Sequence, residues 1–373
     1  MIIASQAHIV TRPIVHSFNA LFENHHPEFD YLGDAWPDGS LGQQLAGKTI
    51  NQNGYFAVVH RITGDGEFSN KHLGLPHPHA LEPCCFCFGN RSTMPFLDLT
   101  IHARWRQSVK KPPQRWPSDH PVWGIIGVTL FTVVIDWMHS HDLGVMRMFI
   151  GSVLTTIVFQ QLVGQGSPAE RCAKLWVEIQ AIYKDLCIQK RINTLSLSMF
   201  CDPNSWKSDY PEISTKASET KHFVQVVLEL CRRYRIPGDE CSNHRFQAAL
   251  HFTRVGNLLD SCGYIPSKEN ANLIESEMNS AMAHYQWLAN DAASKGFCLW
   301  TMVNKCHWLL HLSEQARFLN PQACWTYPFE DMVGKIQQIA MHSKDGTPGH
   351  KIPEHIFQKY RVVLSMRLAR RWG

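Results

Sequence analysis

The sequence predicts a mixed α/β protein, with strands first and a long helical block after them. Two β-branched, aromatic runs each end on an aspartate, and seven segments from residue 145 onward read as helices. No internal repeat or low-complexity tract competes with that reading. At 373 residues the chain is long enough to bury a large core in one domain or two. Its 44% hydrophobic and 18% charged residues are those of a folded protein. The 36 basic and 32 acidic side chains leave a charge of +4, so any nucleic-acid argument must come from local clusters.

Residues 1–54 hold scattered turn signals (His26-Pro27, Trp36-Pro37-Asp38-Gly39) and little periodicity, which predicts a loop-rich flank. No basic start or sustained apolar run at the N-terminus marks a secretory leader. Twelve cysteines spread without regular spacing predict a reducing compartment, apart from the tight group Cys84, Cys85 and Cys87. Tyr55 to Thr63 reads as a strand, stopped by Gly64-Asp65-Gly66. Residues 76 to 121 are rich in proline and glycine and read as a loop excursion. Residues 122 to 136 read as a second, buried strand, too short and too β-branched for a membrane helix. Helices are expected at 145–163, 169–189, 218–235, 244–260, 268–293, 299–318 and about 329–342. In domain terms this gives 1–54, 55–144, a helical 145–318 and a last segment 319–373.

Three groups of residues can carry chemistry. Asp65 at a strand end can hold a hard cation, and Cys84 and Cys87 form a CxxC pair that offers two thiolates to zinc. A solvated turn aspartate beside ordinary cysteines is the plainer reading. Asp136 follows an apolar strand, and an ionisable group there needs a partner or a metal. A helix cap explains it equally well, with His139 one turn further on. Glu330 falls in the first turn of a helix begun by Pro328, where the dipole favours any acid. In addition, Arg104, Arg106, Lys110, Lys111 and Arg115 alternate with Trp105 and Trp116, with no acid between Asp98 and Asp119. That mixture suits phosphate contact and base stacking, or simply a solvated surface.

In order along the chain, four segments resemble the CACTA (En/Spm) transposases. They are Gly64-Asp65 with Cys84 and Cys87; Asp136-Trp137-Met138-His139 with Leu143-Gly144; Lys305 to Leu312, in the pattern KxHxLxHL; and Trp325-Thr326-Tyr327-Pro328-Phe329-Glu330. The resemblance covers residues 45 to 345. It implies a ribonuclease-H-like mixed sheet core with a large α-helical insertion, and a catalytic carboxylate triad of Asp65, Asp136 and Glu330 holding Mg²⁺ or Mn²⁺. Two such cations about 4 Å apart stabilise the attacking and leaving oxygens of phosphodiester cleavage and strand transfer. It also implies a nuclear protein whose partner is DNA, acting without a membrane and as a possible homo-oligomer. Cys84 and Cys87 would then share a structural zinc with His139 or another histidine. The sequence departs from the family at Asp331, where a basic residue is usual, so Asp331 rivals Glu330 as third acid. The alternative is an inactive transposase-derived protein that binds DNA or another partner.

Overall fold

Helices, not strands, build most of this chain. The computed structural model describes residues 2–109, 119–344 and 346–372, with side chains from 10 to 366 within those ranges. Two compact units emerge, Met1–Cys324 and Trp325–Gly373.

In the first unit α1 (Ile2–Glu23) and the short α2 (Leu41–Leu45) precede strand β1 (Ile62–Gly64) and helix α3 (Gly66–Leu73). A long stretch with few regular elements leads to strand β2 (Val133–Ile135). A π-helical turn, Met138–Val145, then runs into α4 (Met146–Phe159). After it come α5 (Pro168–Asp185), α6 (Ala217–Arg233), α7 (Glu240–Ser261), α8 (Lys268–Ser294) and α9 (Asn304–Gln315). Local chemistry sets these boundaries. Ser167 and Glu170 form a capping box ahead of α5, with Pro168 in the first turn. Asp239 and Ser267 cap α7 and α8 through their side chains.

The core centres on α4, which is buried along almost its whole length. Met138–Phe159 is long and apolar enough to cross a membrane, yet 83% of that apolar window is buried inside the protein. A helix apolar on all sides belongs in a core when other helices surround it. The chain at Pro211–Ile213 crosses α4 closely at Gly151, and Ile213 donates its N–H to Arg147 O at 3.1 Å.

The ribonuclease-H-like mixed sheet core is not what forms. Among the described residues the sheet has only two parallel strands of three residues each. The expected strands were too long for physical reasons. Tyr55, Phe56 and Val58 are exposed, and Ala57 bonds to the end of α1 rather than to a strand. In the second run, Pro121 starts one 3-10 turn, Gly127 takes a positive φ, and Thr129 caps another turn at Leu130. Only three residues near the end of each run pair, Ile62–Gly64 with Val133–Ile135. The first 54 residues, expected to be loop-rich, contain the 22-residue α1, which docks through Asn19 on Gly124 and Ile126.

The second unit contains α10 (Tyr327–Lys344) and α11 (Ile352–Trp372), with Lys359 Nζ donating to His342 O.

Candidate functional site

The two short strands place two aspartates side by side. Ile62, Thr63 and Gly64 pair with Val133, Val134 and Ile135 in parallel register. One residue further on stand Asp65 and Asp136, leaving adjacent strands about 5 Å apart. Both line a cavity of about 940 Å³, together with His139, Gly144, Lys305 and Trp308. Asp65 caps α3, accepting the Phe68 N–H at 2.6 Å. Gly64 is needed there, because a Cβ would stand 2.3 Å from the Phe68 ring. Asp136 is only 2% exposed. It accepts the N–H groups of Met138 (3.1 Å) and His139 (3.0 Å), and the His139 ring lies against it at 2.5 Å.

Lys305 forms another wall. Its stem lies over Gly144, whose backbone leaves the helical region and where a Cβ would come within 2.6 Å of Lys305 Cδ. Burial lowers the Lys305 ammonium, opposed by the Glu212 and Asp136 carboxylates.

Beside the cavity, four buried side chains converge. Cys84, Cys87, His307 and His311 each offer a donor atom, all within 4.8 Å of one another. Cys87 Sγ lies 3.3 Å from His307 Nε2, which lies 3.1 Å from His311 Nε2. Two thiols and two imidazoles at such spacings fit the tetrahedral donor set of structural zinc. Amide N–H groups of Phe86 and Gly89 point at the two sulfurs, and Glu314 accepts from His311 Nδ1 at 3.1 Å. Such outer partners fix ligand orientation. The Cys84 thiol, joined by the His307 and His311 rings, draws Cys87 down to about 2, while burial pushes Cys84 well up. Burial lowers His307; on His311 burial acts the same way, but Cys87 and Glu314 outweigh it and raise the ring.

No protein-family model, curated protein or solved structure matches this chain.

The zinc set expected from the sequence therefore needs one correction. Cys84 and Cys87 are in the cage, but His139 is not; it is held on Asp136, and His307 and His311 take the remaining places. The sequence held a signal for them: histidines four apart on α9 share one helix face, and a CxxC pair supplies the other half of a tetrahedral site.

The basic and aromatic cluster also changes meaning. Trp105 is fully buried, with its ring edge-on to His307 at 4.3 Å and His311 at 5.1 Å, so it walls the cage instead of stacking on bases. Arg106 lies over Trp105 and bonds Asn279 at 2.8 Å, beside Glu314 at 3.6 Å. Arg104 is exposed. Lys110, Lys111, Arg115 and Trp116 lie outside the described residues. Glu330 belongs to the second unit, in the first turn of α10, next to Asp331, which pairs with Lys335.

Proposed function

We propose that the first unit is the metal-dependent core of a DNA-cleaving enzyme of the cut-and-paste transposase type. One observation carries the reading: Asp65 and Asp136 end adjacent parallel strands in register and open onto the same cavity. Phosphodiester cleavage needs hard oxygen ligands fixed close together, so that Mg²⁺ or Mn²⁺ can bear the charge of attacking and leaving oxygens. Strand ends fix such carboxylates at the edge of the cavity that both line. The Cys84–Cys87–His307–His311 cage supplies a structural zinc that braces α9 against the loop after α3. Glu330 enters as third acid through the resemblance alone. The same reading makes DNA the partner and the nucleus the compartment.

The test is nicking or strand transfer on DNA carrying the element's terminal repeats, in Mg²⁺ or Mn²⁺. Asp136→Asn abolishes activity while the chain stays folded and keeps its zinc, with the thermal midpoint lowered because an amide nitrogen cannot accept the His139 bonds. Full activity in that variant refutes the reading.

A second reading has its own support. Both aspartates already accept backbone N–H groups at helix starts, which is structural work. It describes an inactive transposase-derived protein that binds DNA or another partner. DNA binding that persists in EDTA, with no cleavage under any divalent metal, favours it.

A further inference from the structure

The cavity that Asp65 and Asp136 line also takes in the start of a helix. Helix α9, twelve residues long, starts there: Val303, Asn304 and Lys305 all line the cavity. The first N–H groups of a helix have no intrahelical acceptor, and Val303 has no side chain able to cap them. No acidic residue occupies the first turn. Asn304 is only 7% exposed, yet its Nδ2 has no hydrogen-bond partner among the described residues. A buried amide donor without an acceptor is costly, so it points to a ligand or water. Lys305 has three donors and a single long contact, to Leu143 O at 3.4 Å. No carboxylate stands within 4.0 Å of it among the described residues. Gly144 makes room for its stem.

We propose that the α9 N-terminus, Asn304 Nδ2 and Lys305 Nζ together form a phosphate subsite that grips the DNA backbone beside Asp65 and Asp136. Its geometry stands alone, while the identity of its ligand rests on the nuclease reading. A helix N-terminus offers N–H groups and positive potential. Asn304 adds a neutral donor, and the Lys305 ammonium adds charge. The carboxylates would repel a phosphate on their own. A cationic wall on the same cavity holds a strand within reach of them, so that binding does not depend on the divalent cations alone.

The experiment measures binding of a fluorescent DNA duplex in EDTA, by anisotropy across a salt series, with the full chain. Lys305→Gln weakens binding about 10-fold and flattens the log–log salt slope by about 1. Asn304→Asp, which keeps the shape but turns a carboxylate on the phosphate, weakens it at least as much. Lys305→Arg retains most of the affinity. Zinc content and thermal midpoint confirm that each variant is folded. Unchanged affinity and slope in folded Lys305→Gln and Asn304→Asp overturn the proposal, as does an absence of DNA binding by the unaltered chain. Displacement of the duplex by millimolar inorganic phosphate at constant ionic strength moves the subsite to free phosphate and overturns its assignment to DNA. If binding falls as expected while no metal supports cleavage, the subsite stands and the nuclease reading falls.

Discussion

A zinc held in the four-residue cage, as proposed, would make a calculable contribution to stability. Cys87 and His307 lie 220 residues apart in the chain. Tying two points that distant removes loop entropy from the unfolded chain worth about 5 kcal/mol in the chain-entropy treatment of cross-links. Domains of this kind are stable by only about 5–15 kcal/mol, so that loss is visible. Urea unfolding followed by circular dichroism, with and without a strong zinc chelator, isolates it. The unaltered chain loses about 5 kcal/mol in chelator, and its metal analysis gives one zinc per chain. Cys84→Ser starts low and loses nothing more in chelator, because the tie is already broken. That double comparison separates the metal from ordinary packing around Trp105. A chain purified without stoichiometric zinc, with the same unfolding midpoint in chelator, refutes the reasoning.

Two further outcomes follow from the helical core. Gly151→Ala places a Cβ 2.8 Å from Glu212 N and 2.9 Å from Pro211 C, so despite alanine's better helix propensity it destabilises by about 1–3 kcal/mol in urea unfolding. An unchanged midpoint would show that the crossing segment moves aside freely. His284, against His244 at 2.9 Å and stacked on His251, which Glu277 holds, is drawn down to about 4, first by burial and then by its two neighbours. Its unfolded value is near 6.5, so the unfolded chain binds the proton first, and stability falls as pH drops from about 6.5 to about 4 and then levels. Discounted for the ring's exposure, the loss is about 1–2 kcal/mol. His284→Gln flattens stability over that range; an identical pH slope would contradict the assignment.

The helices after residue 145 were legible, because their periodicity and caps are local. Ser167-Pro168 with Glu170, and the serine before Lys268, announce their own helix starts. The strand ends were legible too, since Gly64 and Asp136 stop their runs. Strand length was not, because a β-branched run says nothing about whether a partner exists. Tyr55 to Ala57 have the right composition, but among the described residues no strand lies beside them, and Ala57 bonds to α1 instead. Helix α1 was hidden by Pro13 within it and by scattered polar residues. The cage was half legible: CxxC is visible, but its completion depends on α9, more than two hundred residues later. Trp105 and Arg106 misled for a related reason. A tryptophan beside arginines has the same composition on a binding face as in a wall around two histidines, and only burial separates the two.

The brevity of the two-stranded sheet has a kinetic consequence. Six residues joined in parallel, with about seventy between them, return too few hydrogen bonds to offset closing so long a loop early in folding. Helical hairpins such as α7 with α8 close over short turns and are expected to form first. The adjacency of Asp65 and Asp136 is then expected to come late, imposed by a scaffold already assembled around it.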